Sequence, residues 1–272
     1  LAVSGLLLQT YFNNYLADPS ILGISSGSSF GVGVVMLILG GSVGIGSLSF
    51  SGFLAVLVGA VIGSLLVMSV LLFFSSLVKD SLTLLIIGIM IGYITSSVIS
   101  LLNFFATAEG VHSYVIWGLG TFGGVSSAQL PFFSATIIIG LIGTILLIKP
   151  LNALLLGERY ATNLGINVRH TRNYILLTVG LLTACVTAFC GPIAFIGLAV
   201  PHISRLLLGS SNHSILLPFT LLTGSVMALL CNLACILPGS GGVLPLNAVT
   251  PLLGAPVIIY VLINQRKLQY FN

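Results

Sequence analysis

The sequence predicts an all-α polytopic membrane protein, with about nine membrane-spanning helices in this chain and about ten in the intact subunit. Composition and the placement of positive charge lead to this prediction. Of the 272 residues, 57% are hydrophobic and 4% are charged, with a mean hydropathy of +1.21. Soluble domains carry roughly a quarter of charged residues. A soluble enzyme, a nucleic-acid-binding protein and a disordered chain are therefore excluded.

Polar or charged residues divide the chain into apolar segments of membrane-spanning character. A spanning helix needs about 20 mostly apolar residues. The predicted segments have approximate limits of 1–13, 20–40, 52–78, 82–106, 113–148, 173–190, 191–208, 215–237 and 245–264. Because these segments are continuously apolar rather than alternating, a β-barrel is not favoured.

Two segments are irregular. Segment 1–13 is short and the chain begins without Met, so we expect a fragment whose first helix is missing. Segment 113–148 is too long for one simple span. Its Trp117-Gly118-Leu119-Gly120 stretch, followed by Gly123-Gly124, predicts an interfacial or re-entrant piece before the helix proper.

The basic residues occupy only alternate connections between the segments. They are Lys79 in the third connection, Lys149, Arg159, Arg169 and Arg172 in the fifth, Arg205 in the seventh, and Arg266 and Lys267 in the tail. The connections around 41–51, 106–112, 190–191 and 238–242 contain no Lys or Arg. By the positive-inside rule all eight basic residues are cytoplasmic if the first segment runs inward.

The fifth connection is the longest polar stretch, and we expect it to be a docking site. Its alternating apolar and polar residues favour a short amphipathic helix, a turn at Gly165 and a second short helix. An ordinary positive-inside loop is the alternative. Near the cytoplasmic end of segment 191–208, His202 is expected to be packed or bonded to backbone, and Arg205 to extend to the membrane surface.

Small residues and prolines favour a transporter over a simple anchor. Gly59 with Gly63, and Gly88 with Gly92, have the spacing of close helix contacts. Prolines interrupt the C-terminal half, as in broken helices that line a cavity. The four cysteines, at 185, 190, 231 and 235, lack metal-site or redox spacing and are interpreted as packing residues.

An ordered set of motifs resembles the FecCD-like permeases of bacterial type II ABC importers for iron-siderophores, haem and cobalamin. The pieces are Leu1 to Gln9, Asn14-Tyr15-Leu16-Ala17-Asp18-Pro19, Leu22 to Gly27, Trp117 to Gly120, Leu156-Gly157-Glu158, Leu164-Gly165, Gly191 to Leu198, Pro201-His202 with Arg205, and Leu253 to Pro256. Tyr15 stands where the family usually has Pro. Asn232 and Ile236 occupy positions that are Asp and Arg in the cobalamin permeases.

The resemblance implies roles for particular residues in a single transmembrane permease domain, 1–272, with a cytoplasmic coupling-helix region at 150–172. The ATPase-coupling residues would be Gly157, Glu158, Ala161, Leu164 and Gly165. The cytoplasmic gate would be formed by Asn14, Leu16, Asp80, Ser81 and Leu82. Structural residues of the family motif would be Gly191, Pro192, Gly197, Pro201, His202 and Arg205.

The resemblance also implies the partners. They are a second copy of the chain, two cytoplasmic ABC ATPases and an external substrate-binding protein, in the bacterial inner membrane and with no nucleic acid. No catalytic or metal-binding residue and no cofactor is expected in this chain. ATP and Mg²⁺ would be bound by the partner ATPase, because the sequence has no phosphate-binding loop ending in Lys-Ser or Lys-Thr.

Other functions are weaker alternatives. An ion-coupled secondary transporter would need an ionisable residue near mid-membrane, and no Asp, Glu or Lys falls at the centre of a predicted span. An intramembrane hydrolase would need a spaced nucleophile and base. The expected function is import of an iron chelate, a ferric siderophore or haem, by alternating access, with cobalamin as the alternative.

Overall fold

The computed structural model of the chain describes residues 1–38, 50–78, 80–127, 129–236 and 243–268. Helices make up most of this part of the chain, and no β-strand occurs in it. The all-α prediction is therefore confirmed. Lys79, the 238–242 connection and the side chains of Arg266 and Lys267 lie outside the described residues.

Twelve α-helices and one π-helical turn follow each other along these described ranges. They are α1 (Ala2–Tyr11), α2 (Ile24–Gly33) continued by the π-turn Val34–Ile38, α3 (Phe50–Leu77), α4 (Ser81–Phe105), α5 (Ala108–Gly118), α6 (Leu130–Leu146), α7 (Ile148–Leu154), α8 (Glu158–Asn163), α9 (Val168–Cys190), α10 (Ile196–Leu208), α11 (His213–Ile236) and α12 (Leu246–Leu268).

Four of the described helices are long and apolar enough to cross a membrane: α3, α4, α9 and α11. Helices α6 and α7 give a fifth span if they are taken as one element bent by 49°. The segments predicted at 1–13, 20–40, 191–208 and 245–264 correspond to α1, α2 with its π-turn, α10 and α12. The predicted break inside 113–148 is confirmed, because α5 ends at Gly118 and residues 119–127 are not helical.

The predicted helix at 191–208 begins later than expected. Residues 191–195 are not helical, and α10 starts at Ile196. Gly191 has a φ of +81°, and Phe195 also adopts a left-handed conformation with a φ of +69°. Neither conformation continues a right-handed helix. The apolar composition of the stretch concealed this interruption.

The chain divides into two units. The first contains Leu1–Asp18, Gly140–Val179 and the described part of Ile193–Asn272. In this unit α1 packs against α10 and α11, and α12 packs against the same two helices. A buried cluster of Val3, Leu6, Leu216 and Leu217 fixes α1 on α11.

The α1–α10 contact in the first unit depends on glycine. A Cβ atom on Gly5 would overlap the carbonyl oxygen of Gly197 in the first turn of α10. Pro201 has no N–H group to donate to that carbonyl, which therefore lacks its usual helical partner. The backbone of α1 fills the space beside it, in the manner of close Cα–H···O contacts between helices.

The second unit contains Pro19–Ile139 and Gly180–Pro192, apart from the residues left undescribed. Helix α2 lies directly on α3: a Cβ on Gly31 would overlap the Gly59 carbonyl, and one on Gly27 would lie 2.6 Å from the Gly63 carbonyl. On α4, a Cβ on Gly88 would lie 3.1 Å from the Leu22 Cα. The interpretation as close-packing sites is confirmed for Gly59, Gly63 and Gly88, whereas a Cβ on Gly92 would meet only ordinary contacts at 3.8 Å.

The four cysteines are free and buried, in agreement with their interpretation as packing residues. Cys185 and Cys190 belong to the second unit, and Cys231 and Cys235 to the first. Among the described residues, no group of three or more His, Cys, Asp or Glu side chains could hold a metal ion.

We predict that Gly31→Ala destabilises the protein. Its methyl group would overlap the Gly59 carbonyl, so α2 and α3 would have to separate, at a cost of about 1–3 kcal/mol. The matched control is Gly92→Ala, since a Cβ there meets nothing closer than 3.8 Å. Thermal unfolding in detergent should show a lower Tm for Gly31→Ala and an unchanged or slightly higher Tm for Gly92→Ala. Equal Tm values for the two variants would contradict the packing argument.

Candidate functional site

The first candidate gate turn follows directly from the end of α1. Asn13 has a φ of +44°, and its N–H donates to the Thr10 carbonyl at 3.3 Å. The Asn14 N–H donates to the Gln9 carbonyl at 3.1 Å. These two bonds form a Schellman motif, in which Asn can take the left-handed position that glycine usually fills. The gate residues therefore leave the helix in a fixed direction.

The side chain of Asn14 holds the next residues of this turn. Its Oδ1 accepts a hydrogen bond from the Leu16 N–H at 2.9 Å, and its carbonyl accepts one from the Ala17 N–H at 3.0 Å. Such Asn turns substitute a side-chain oxygen for a backbone acceptor. The side chains of Tyr15 and Leu16 are left 46% and 43% exposed. The turn thus presents two large apolar side chains on an ordered backbone.

Helix α10 holds the same turn through His202 and Arg205. The His202 Nε2–H donates to the Tyr15 carbonyl at 2.9 Å, and the two rings lie 5.5 Å apart between centroids. The Arg205 guanidinium lies 5.5 Å from the centroid of the Tyr15 ring, within cation–π range. The expectation that His202 is backbone-bonded is confirmed.

Arg205 has specific protein partners, whereas the sequence predicted only that it extends to the membrane surface. Its Nη1 donates to the Gln9 Oε1 at 2.7 Å, and the Gln9 Nε2 donates in turn to the Leu198 carbonyl at 3.2 Å. A buried amide oxygen and an aromatic ring together replace water as partners for the guanidinium. Because Gln9 is far away in the sequence, no local pattern indicated this arrangement.

The second candidate gate turn, Asp80 to Leu82, belongs to the second unit. Asp80 is the N-cap of α4: its Oδ2 accepts hydrogen bonds from the Thr83 N–H at 2.9 Å and from the Thr83 hydroxyl at 2.8 Å. These bonds, the backbone one first, lower the pKa of the Asp80 carboxyl below its ordinary value. The cap is therefore kept through the neutral range and lost only when pH falls through that lowered pKa.

The candidate coupling segment consists of α7, α8 and the turn to α9. Gly157 opens α8 with a φ of +98°, and no atom lies within 4 Å of the position of a Cβ there. Glu158 is exposed in the first turn of α8, where a carboxylate is favourable at the helix N-terminus. Large apolar side chains are exposed around it: Leu155, Leu156, Tyr160 and Leu164. Apolar side chains beside a charge are typical of a protein-binding surface.

Gly165 ends α8 in a second Schellman motif. It has a φ of +82°, and its N–H donates to the Thr162 carbonyl at 2.9 Å, while the Ile166 N–H donates to the Ala161 carbonyl at 3.1 Å. The predicted turn at Gly165 is confirmed. The helix after it is not short, as predicted, but is the 23-residue α9, because the apolar run from Tyr174 continues to Cys190 without a break.

Ala161 differs from the other predicted coupling residues. Its side chain is completely buried on the inner face of α8, so it cannot contact a partner directly. Gly157, Glu158, Leu164 and Gly165 are all exposed. The small size of Ala161 instead lets α8 lie close to the rest of the chain.

The chain is similar to known proteins over nearly its whole length. The model of the FecCD transport family matches residues 1–264. The chain belongs to the FecCD transport family. The vitamin B12 import system permease proteins BtuC of Salmonella paratyphi A and Salmonella typhimurium are 34% identical over 271 residues, which cover 98% of this chain and 79% of each relative.

A solved structure shares the fold of this FecCD chain. It is described as an inward-facing conformation of a putative metal-chelate type ABC transporter, with a TM-score of 0.85 and 30% identity. The match covers 97% of this chain and 81% of the other. This chain is therefore a permease subunit of the ABC importer type and a multi-pass membrane protein.

Close packing explains why glycine is needed at position 191 of the FecCD motif in this permease. A Cβ on Gly191 would lie 2.7 Å from the Trp117 carbonyl oxygen and 3.0 Å from the Gly120 Cα. The Thr121 N–H donates to the Cys190 carbonyl at 2.9 Å in the same place. The Trp117 to Gly120 stretch and the start of the 191–195 interruption therefore pack directly against each other within the second unit.

Sequence reasoning missed four polar residues near the first gate turn. Gln9 binds Arg205, as described, while Thr10, Asn152 and His213 form a separate set of hydrogen bonds. In the sequence, Gln9 and Thr10 lie in a predicted apolar helix, and Asn152 lies in a predicted polar connection. Only the rarity of polar side chains in an apolar helix could have indicated them.

We predict that His202→Phe loosens the Tyr15 turn in this FecCD permease. The variant keeps a ring but loses the donor to the Tyr15 carbonyl. A lost hydrogen bond of about 1 kcal/mol corresponds to about fivefold faster opening of the turn. Hydrogen–deuterium exchange of a peptide covering residues 12–18 measures this. The exposed His112 supplies the control His112→Phe, which should leave that peptide unchanged; equal exchange in both variants would refute the role of His202.

Proposed function

We propose that this chain is the membrane subunit of a bacterial inner-membrane importer, assembled from two copies of itself and driven by two cytoplasmic ABC ATPases. ATP and Mg²⁺ would be bound by those ATPases, and an external binding protein would deliver the substrate. The family match over residues 1–264 supports the transport role. The observation that carries the coupling role is the exposed segment around α8, where Glu158 stands among large apolar side chains.

The proposed mechanism is alternating access. Closure of the ATPases pushes on the 150–172 region and changes the tilt of the helices that line the path of the substrate. The Schellman motif at Gly165 supports this role, because it connects α8 to the long helix α9 through a hydrogen-bonded turn. The turns at Asn14–Leu16 and Asp80–Leu82 would form the cytoplasmic gate, with exposed apolar side chains at Leu16 and Leu82.

We predict that Glu158→Arg uncouples the permease from its ATPase. Reversal of the charge in the middle of a docking surface should lower substrate uptake by at least about tenfold, as for the central residues of other interfaces. The variant should still insert in the membrane, because Glu158 is exposed on a short helix outside the spans. Uptake in cells and co-purification of the ATPase subunits are the measurements.

The matched control for this charge reversal is Glu109→Arg in the first turn of α5. It changes the same residue type outside the coupling segment, so the ATPases should co-purify as with the unaltered protein. Normal uptake and normal co-purification in Glu158→Arg would show that the coupling surface lies elsewhere.

The proposed substrate is an iron chelate, either a ferric siderophore or haem. A conduit built of apolar and small residues suits a bulky chelate. Asn232 and Ile236, which stand at Asp and Arg positions of cobalamin permeases, favour a substrate other than cobalamin. The similar solved structure is described as a transporter of the metal-chelate type. Cobalamin is the second candidate, because the similar Salmonella permeases are named for vitamin B12 import.

Uptake of three radiolabelled compounds distinguishes these substrates. Cells that lack the gene, and the same cells with the intact gene and its ATPase restored, receive ferric siderophore, haem or cobalamin. We expect restored uptake of ferric siderophore or haem and no restored uptake of cobalamin. Restored uptake of cobalamin alone would retain the mechanism but replace the substrate, while restoration of none of the three would contradict the proposed substrate class.

A further inference from the structure

Asn152 of α7 makes a set of hydrogen bonds whose direction is fixed by the backbone. The His213 N–H, which can only donate, lies 2.8 Å from the Asn152 Oδ1. This atom is therefore an acceptor, and the His213 Nδ1 at 2.9 Å must be protonated and donate to it as well. On the other side, the Asn152 Nδ2 donates to the Asn212 Oδ1 at 3.0 Å, which also accepts the Ser214 N–H.

The protonation of His213 determines its contact with α1. In a neutral ring with the proton on Nδ1, Nε2 is an acceptor. The Thr10 hydroxyl lies 2.8 Å from Nε2 and 3.0 Å from the Leu6 carbonyl oxygen of its own helix, so two acceptors compete for its single proton. Donation to Nε2 is the arrangement in which the neutral ring is bonded at both nitrogens. The side chains of Asn152, His213 and Thr10 thus form one continuous chain of hydrogen bonds from α7, through the first residue of α11, to the last turn of α1.

The two ends of this chain of hydrogen bonds lie in the 150–172 region and next to the first gate turn. Asn152 lies within the 150–172 region, six residues before Glu158 in the sequence. Thr10 lies next to the first gate turn, and its carbonyl accepts the Asn13 N–H that closes the Schellman motif. All three side chains belong to the first unit, so the chain of bonds lies wholly inside one body of the protein.

We infer that Asn152, His213 and Thr10 are positioning residues that transmit movement of the coupling segment to the gate turn at Asn14–Leu16. This inference rests on the proposed function, since it needs both an ATPase that moves α7–α8 and a gate at that turn. The three residues do not touch the substrate. Their role is to keep α7, the start of α11 and the end of α1 in register.

Hydrogen bonding explains why polar residues would be used for this role. Aliphatic side chains also join α1 to α11, in the cluster that contains Leu6, Leu216 and Leu217. Aliphatic contacts are non-directional, so helices can slide along them. Breaking a buried hydrogen bond leaves a donor or acceptor without a partner, which is costly in a dry interior. His213 is 1% exposed and Thr10 is 7% exposed, so water is a poor substitute for either partner.

The test uses Leu16→Cys as a reporter of the gate in the complete complex with its ATPase subunits. Leu16 is 43% exposed, and the native cysteines are buried, so a membrane-impermeant maleimide labels mainly the new thiol. The labelling rate is measured without nucleotide and with ATP, Mg²⁺ and vanadate. Coupling of ordinary strength changes such an equilibrium by about fivefold or more.

Four variants of the reporter protein separate transmission from packing. Thr10→Val has nearly the same shape but lacks the hydroxyl that meets His213, while Thr10→Ser keeps it. The matched control is Thr223→Val on α11, because the Thr223 hydroxyl donates only to the Phe219 carbonyl of its own helix. Asn152→Leu breaks the chain at its other end and decides the question if Thr10→Val fails to assemble.

We expect Thr10→Val and Asn152→Leu to bring the nucleotide-dependent ratio of labelling rates close to one, while the ATPase subunits still co-purify. Thr10→Ser and Thr223→Val should keep the ratio of the reporter protein. An unchanged ratio in the Thr10→Val or Asn152→Leu protein would overturn this inference alone. A reporter protein whose labelling does not respond to nucleotide would overturn the proposed gate, and with it this inference.

Discussion

The approach of helix backbones at glycine positions is the constraint on which the other contacts depend. In lipid, apolar side chains gain little by moving from bilayer to helix interface, so association relies on close packing and polar contacts. Gly31 against Gly59 and Gly5 against Gly197 bring whole helices within backbone distance of each other. Polar side chains of ordinary length can then reach between helices, as Gln9 does to the Leu198 carbonyl.

Broken helices and ordered turns are the second theme of this chain. A backbone that leaves a helix in an apolar protein must satisfy its own donors and acceptors. Here it does so in standard ways: an Asn in a left-handed position after α1, a Gly after α8, and an Asp cap before α4. These three places coincide with the candidate gate turns and the candidate coupling segment. The parts proposed to move are therefore joined by turns of defined geometry rather than by loose loops.

Composition and charge placement were enough to predict an all-helical membrane protein, and the close contacts at Gly59, Gly63 and Gly88 and the Gly165 turn were also predicted correctly. Each of these signals is local. The course of 191–195 was missed because an apolar composition does not distinguish a helix from a buried irregular segment. The partner of Arg205 was missed because Gln9 lies 196 residues away in the sequence. The Asn152–His213–Thr10 chain was invisible for the same reason: each residue has a commonplace sequence context, and only the fold brings the three together.

The carbonyl of Gly197 shows how two distant positions in this fold constrain one another. Pro201 removes its usual donor, and the bare backbone at Gly5 occupies the space beside it. A residue with an N–H group at position 201 would supply that carbonyl with its usual helical donor, so the Gly5 backbone would then lie beside a carbonyl that is already bonded. The effects of substitutions at the two positions would then not add, as expected for residues that share one contact. Positions 5 and 201 would therefore have to be changed together, whether by design or by natural variation.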